Sequence, residues 1–131
     1  IVERLSFPTP WTRQMFLSEL FDNDRAYYIV AKIDDRVIGY AGIWFIAGEG
    51  HVTNIAVHPD FRKQGVGRRL LQTLEDMIRS RGGDRMTLEV RVSNYWAQHL
   101  YRSMGFVATG IRKGYYRDNN EDAVIMWKEL A

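Results

Sequence analysis

The chain contains no cysteine. That excludes disulfides, thiolate metal sites and a cysteine nucleophile together, and it suits a reducing compartment. Proline is scarce, with three in 131 residues, so breaks in regular structure must come from glycine and polar turns. No run of about 18 apolar residues occurs, so no helical membrane span is expected. No secretory leader pattern is visible, no internal repeat, and no low-complexity tract. The first residue is Ile1 rather than Met, so a leading segment is expected to be missing.

What is present is a globular composition. Hydrophobic residues make up 46% and aromatics 13%, which excludes intrinsic disorder. A length of 131 residues predicts one domain, 1–131, with a core that needs no staples. The net charge of +2 and pI of about 9.0 suit acidic ligands, but they are too weak to indicate nucleic acid.

Apolar periodicity gives the element order. Ile1 to Phe7 reads as the end of a helix, halted by Pro8 and Pro10. Thr9 or Thr12 caps a second helix with the stripe Phe16, Leu17, Leu20 and Phe21. Ala26–Ile33 and Val37–Ile46 form a hairpin across Asp34-Asp35-Arg36, and His51–Val57 is a third strand. Val66–Arg81 is the clearest helix. Its apolar residues Val66, Leu70, Leu71, Leu74, Met77 and Ile78 share one face, and Gly82-Gly83 stops it. Met86–Val92 alternates, with Glu89 and Arg91 on its polar side. Asn94–Met104 is a short helix. Phe106–Tyr116 and Ala123–Leu130 make a final hairpin around Asp118-Asn119-Asn120-Glu121. The fold class is α/β: a mixed, mostly antiparallel sheet with flanking helices and one parallel strand-helix-strand crossover.

The densest chemistry sits between strand and helix, at His58-Pro59-Asp60-Phe61-Arg62-Lys63-Gln64-Gly65-Val66-Gly67-Arg68-Arg69. The first amides of a helix have no internal acceptor, and the helix dipole adds positive charge there. Gly65 and Gly67 allow close backbone approach, and Arg62, Lys63 and Arg68 supply cations, so the stretch reads as a phosphate cradle. The P-loop pattern is absent. Gly65-x-Gly67-x-x-Leu70 is a partial dinucleotide fingerprint, with Glu89 at a ribose-binding distance. Against it, seven residues separate strand from glycines, and only one crossover unit is available. A plain surface loop with solvated arginines is the remaining alternative. The three histidines, His51, His58 and His99, have no ligand spacing, so no metal is expected.

Arg62-Lys63-Gln64-Gly65-Val66-Gly67 resembles the Arg/Gln-x-x-Gly-x-Gly/Ala signature of the GNAT N-acetyltransferases. Asn54-Ile55-Ala56-Val57-His58-Pro59 and Ala97-x-x-Leu100-Tyr101-x-x-x-Gly105-Phe106 match in the expected order. More narrowly, the chain resembles the RimI-type protein N-terminal acetyltransferases. The runs that carry this are Phe7-Pro8-Thr9-Pro10-Trp11, Leu88-Glu89-Val90-Arg91-Val92-Ser93-Asn94, Arg112-Lys113-Gly114-Tyr115-Tyr116 and Glu121-Asp122-Ala123-Val124-Ile125-Met126. The resemblance implies a GNAT fold whose N-terminal strand is missing from this sequence. It implies acetyl-CoA as co-substrate, no metal, and the N-terminal alanine of a small-subunit ribosomal protein as acceptor. A monomer in the cytoplasm is expected, with no membrane and no direct nucleic-acid contact.

Site residues follow from the same resemblance. The thioester arm is assigned to Ile55, Ala56 and Val57, with a Val57 N–H as oxyanion donor. The pyrophosphate is assigned to Arg62, Lys63, Gln64, Gly65, Val66, Gly67 and Arg68, and the pantetheine side to Asn94. Glu89 is the implied general base and Tyr101 the general acid; Tyr115, Tyr116 and Trp11 are the implied substrate contacts. Each has a plainer alternative. Glu89 could be a strand carboxylate paired with Arg91 or a neighbour, Tyr101 a core residue of its helix stripe, Tyr115 and Tyr116 ordinary strand aromatics, and Trp11 part of a helix connection. Broader N-terminal or small-amine acetylation, and a non-catalytic CoA-binding module, stay open as functions.

Overall fold

The computed structural model describes residues 2–6, 14–21, 26–62 and 65–130, giving backbone course alone for the first two stretches. Trp11, Lys63 and Gln64, together with the rest of the Phe7-to-Trp11 run, lie outside the described residues. The strands are β1 (Val2–Ser6), β2 (Gln14–Phe21), β3 (Ala26–Ile33), β4 (Arg36–Ile46) and β5 (Glu49–Val57), then β6 (Arg85–Arg91), β7 (Val107–Tyr116) and β8 (Glu121–Glu129). A 3-10 turn, Pro59–Phe61, and helix α1 (Val66–Ser80) join β5 to β6; helix α2 (Tyr95–Ser103) joins β6 to β7. The sheet order is β1-β2-β3-β4-β5-β6-β8-β7. Among the described residues only β5 and β6 pair in parallel, and α1 supplies the crossover such a pair needs.

From Ala26 onward each expected element is present, with ends displaced by one or two residues. The N-terminal expectation fails. The supposed helix end and the stripe at Phe16 to Phe21 belong to strands β1 and β2, and β2 pairs with β3 from Phe16↔Lys32 to Phe21↔Tyr27. An apolar run this short fits either period. The free edge of β3 offers backbone donors and acceptors that a strand satisfies and a helix does not.

The core lies between the sheet and α1. All six residues of the predicted stripe are buried, and Leu70, Leu74 and Ile78 are fully so. Removing such a side chain from water contributes about 1.5–3 kcal/mol. The helix starts at Gly65, whose φ of 87° is left-handed, a conformation glycine adopts without a Cβ penalty. It stops as expected, with Gly82 at φ 82° and Gly83 N donating to Ile78 O at 2.9 Å.

Two irregularities in β5 open the middle of the sheet. A register shift opposite Gly42/Ile43 leaves Thr53 without a direct partner on β4, a bulge that bends the strand. The parallel pairing with β6 covers only Glu49↔Arg85, Gly50↔Met86 and His51↔Thr87. Beyond those pairs, the edge of β5 from Val52 to Val57 is unpaired with β6.

Close approach of α1 to β5 requires Gly50. A Cβ there would clash with Cδ1 of Ile78 and come within 2.6 Å of its Cγ1. Gly50→Val should therefore lower stability by about 1–3 kcal/mol, the usual cost of overpacking, read as a shift in the denaturant midpoint. An unchanged midpoint would show that helix and strand are not in contact there.

Candidate active site

The open edge of β5 can be oriented from one hydrogen bond. His58 N donates to Ile38 O on β4 at 2.7 Å. Peptide groups of successive residues on an antiparallel strand alternate between its two edges. The N–H and C=O of Val57 therefore face away from β4, toward β6. In agreement, Arg62 Nε donates to Val57 O at 3.3 Å. His58 serves the turn, its Nδ1 accepting from Asp60 N at 3.1 Å.

A cavity of about 440 Å³ opens along this edge. It is lined by Ile55, Ala56 and Val57 from β5, by Asn94 after β6, and by Ala97 and Tyr101 of α2. A second cavity, about 230 Å³, continues it past Arg62, Gly65, Gly67 and Arg68 to Ser103. The two share Val57, Arg62, Gly67, Trp96 and Leu100, and together make one trench. The N-terminus of α1 forms one end. Its first internal bond is Arg69 N to Gly65 O, so the amides of Val66, Gly67 and Arg68 precede any intrahelical acceptor. Val66 is buried in the core and contributes only its backbone here. A Cβ on Gly67 would stand 3.4 Å from Leu100 and 3.8 Å from Val57, narrowing the trench. Arg68 Nη2 is held toward α2 by Ser103 Oγ at 2.8 Å.

The trench therefore has an apolar, backbone-lined arm and an anion-binding end. It fits an elongated ligand that carries phosphate at one end. The donor set fits such a group at both places: strand amides along the arm, helix amides and guanidinium groups at the end. Asn94 has a structural duty as well, because its Oδ1 caps α2 by accepting from Ala97 N at 3.1 Å.

Tyr101 stands in the wall of the arm and is only 6% exposed. Its ring packs on Phe106, with centroids 6.0 Å apart, so core packing and access to the trench coexist. Burial, with a smaller contribution from Tyr116, pushes its pKa up to about 12. The phenol holds its proton throughout the neutral and mildly alkaline range.

Glu89 projects from the opposite side of β6 to Leu88 and Val90. Its carboxylate is 8% exposed and lies in a third cavity, about 700 Å³, with Thr53, Thr87 and Trp127. Its Oε1 is 3.0 Å from His51 Nε2, and its Oε2 accepts from Arg112 Nε at 3.3 Å. Of the partners offered by the plainer reading, Arg91 is engaged with Asp118, and neighbours, His51 and Arg112, meet the carboxylate instead. Tyr116 packs edge-on against Tyr115 at 5.1 Å. Its own pKa is raised by burial, then by Tyr115, with Arg91 opposing and Glu89 and Glu121 adding. Tyr116 thus lies within electrostatic reach of both Tyr101 and Glu89.

Sequence reasoning missed His51 and Arg112. The signal for His51 was register: in a parallel pair that aligns His51 with Thr87, Glu89 is two residues on and on the same face. No pattern of spacing along the chain reveals that. Among the described residues no cluster of His, Asp and Glu could hold a metal ion, and no helix is long and apolar enough to cross a membrane.

The parted strands, the glycine-started helix and the trench between them make a site for an elongated ligand with a phosphate end. A model of the acetyltransferase (GNAT) family matches residues 2–106. The chain belongs to that family and is an N-acetyltransferase. The [ribosomal protein bS18]-alanine N-acetyltransferase of Salmonella typhimurium is 39% identical to it, over 95% of this chain and 84% of the relative. A Bacillus subtilis relative, provisionally given the same name, is 44% identical over 96% of this chain and 83% of its own length. The crystal structure of the ribosomal-protein-S18-alanine N-acetyltransferase from Escherichia coli is similar, with a TM-score of 0.78 and 37% identity. That match covers 84% of this chain and 72% of the other.

The raised Tyr101 pKa is directly measurable. In an ultraviolet titration of the tyrosines, Tyr101→Phe should remove a step near pH 12. Loss of a step at the ordinary phenol value instead would show that burial does not hold that proton.

Proposed function

We propose that this protein transfers the acetyl group of acetyl-CoA to the N-terminal alanine of ribosomal protein bS18. The transfer is direct, with Glu89 as general base and Tyr101 as general acid. The observation that carries this reading is the early end of β5–β6 pairing, with a protonated phenol in one cavity beside it and a carboxylate in another. The names and overall likeness of the relatives favour the ribosomal acceptor.

When bound, acetyl-CoA supplies an activated thioester acyl group. The chain's own residues do the rest. The open edge of Ile55, Ala56 and Val57 takes the arm, and the Val57 N–H polarises the acyl oxygen. The loop Arg62-Lys63-Gln64-Gly65-Val66-Gly67-Arg68 takes the pyrophosphate. The Oδ1 of Asn94 is engaged in capping α2, so its Nδ2 is the donor it offers to the pantetheine side. An α-amino group has a pKa of about 8 and arrives largely protonated at neutral pH. Glu89 accepts that proton, directly or through a water. Tyr101 delivers its own to the departing sulfur. Tyr115 and Tyr116, with Trp11 opposite, hold the acceptor's first residues. The reading includes a single domain over residues 1–131, acting as a monomer in the cytoplasm where its ribosomal acceptor is made.

Release of CoA in the presence of an alanine-initiated peptide from bS18 tests the function. Faster turnover on a polyamine, or cofactor binding with no turnover on any peptide, would overturn it. Glu89→Gln should lower kcat by about 10²–10⁴-fold, the usual share of a general base, with the Kd for acetyl-CoA unchanged. Turnover that survives this substitution from about pH 6 to 9 would remove Glu89 from the role.

A further inference from the structure

The geometry points to Arg91 as a positioning residue that sets Tyr116 at the acceptor's end of the site. This rests on the function proposed above and deepens it. Arg91 ends β6, two residues beyond Glu89 on the same face. Its guanidinium holds the turn between β7 and β8. Nη1 and Nη2 donate to the two carboxylate oxygens of Asp118 at 3.1 and 2.9 Å, and Nη1 also reaches Asn119 Oδ1 at 3.2 Å and Glu121 Oε1 at 3.4 Å. The Cζ of the same group lies over the Tyr116 ring, 4.1 Å from its centroid.

The backbone around Arg91 is fixed from the other side. Gln98, buried on α2, donates from Nε2 to Arg91 O at 3.0 Å and Val92 O at 2.9 Å. Tyr101 is three residues farther along that helix, close to one turn. Ser93 N donates to Glu121 Oε2 at 2.8 Å, and Val92 N to Asp122 O at 3.1 Å. One residue therefore joins the strand of Glu89, the helix of Tyr101 and the hairpin of Tyr116.

The hairpin needs such a hold. The pairing of β7 with β8 breaks between Arg112 and Tyr116, where Gly114 takes a φ of 57° and donates its N–H to Asp122 Oδ1 at 2.8 Å. The break leaves Tyr115 without a ladder partner and Tyr116 with the single pair to Glu121 beyond it, so the ladder holds this end of the hairpin only weakly. A planar guanidinium supplies both the fork for Asp118 and the face for Tyr116, whereas lysine offers neither.

Steady-state kinetics with the alanine-initiated peptide test the assignment. Arg91→Lys should raise the peptide KM about tenfold, because an ammonium has neither the fork that holds Asp118 nor the planar face that sets the Tyr116 ring. It should change kcat little and leave the calorimetric Kd for acetyl-CoA unchanged. The decisive variant is the double one with Tyr116→Leu. If Arg91 acts through the ring, the double substitution is no worse than Tyr116→Leu alone. Multiplying effects, or an unchanged KM, would overturn the assignment. Should Arg91→Lys not fold, Asp118→Asn, at a side chain 64% exposed, should give a smaller rise in the same KM; no rise there also overturns it. An unaltered protein with no turnover on any peptide brings down the proposed function and this assignment with it. Normal turnover with an unaffected KM brings down the assignment alone.

Discussion

The structure depends on a parallel ladder that ends early. Three residue pairs join β5 to β6, and then the strands part. In most sheets an unpaired inner edge would be a defect, because backbone groups without partners cost about as much as lost hydrogen bonds. Here that edge lines a trench. The bulge at Thr53 and the glycine-started helix are what let the two halves of the sheet diverge while sharing one core. The β3–β5 half is covered by α1, and β6, β8 and β7 carry the polar face with Glu89 and the tyrosines. Where the halves diverge, helix amides, open strand amides and a phenol line one trench, and the Glu89 carboxylate lies in a separate cavity on the polar face of β6.

Membership in the GNAT family places the protein among enzymes that use acetyl-CoA. The trench suits such a co-substrate on grounds independent of family: an apolar arm with free strand amides, and an end with helix amides and arginines. Tyr101 shows how packing and chemistry reinforce each other. The same burial that fills the core raises its pKa to about 12, so the phenol beside the trench keeps its proton at neutral pH. Glu121 illustrates the converse. Hydrogen bonds from Ser93 first, then Asn119 and Arg91, hold its carboxyl down at about 2. With its folded pKa depressed, it contributes stability at every pH above about 4.5 and loses that contribution only as pH falls toward 2.

How much was legible in the sequence depended on the range of the interaction that decides each feature. Local signals carried α1, from Gly65 to Gly82-Gly83, and the alternation of β6 that puts Leu88 inside and Glu89 outside. The anion character of the Arg62-to-Arg68 loop was readable before any family was considered, since it follows from glycine, charge and a helix start. The stripe at Phe16 to Phe21 was misread as helix, because four apolar residues fit two periods and pairing to β3 decided between them. His51, Arg112 and the clasp of Arg91 were invisible because each depends on strand register. Spacings of 38, 23 and 27 residues separate His51 from Glu89, Arg112 from Glu89, and Arg91 from Asp118. The alternative of a Glu89–Arg91 pair was reasonable along the strand and was replaced by partners from β5 and β7.

The contacts of Glu89 bear on how an acceptor enters. Before any amine arrives, its carboxylate is already met by the guanidinium of Arg112 and the imidazole of His51. If this carboxylate receives the acceptor's ammonium, entry is an exchange of one cation for another. Arg112 is the partner suited to leave, being half exposed on a bulged edge strand. Little net charge is then created or buried when the site fills, and the ammonium's dehydration is offset by rehydration of the departing guanidinium. A resting enzyme built this way holds no bare anion in its cleft, and its selectivity rests on what an incoming amine offers beyond charge: its shape, and the backbone that follows it.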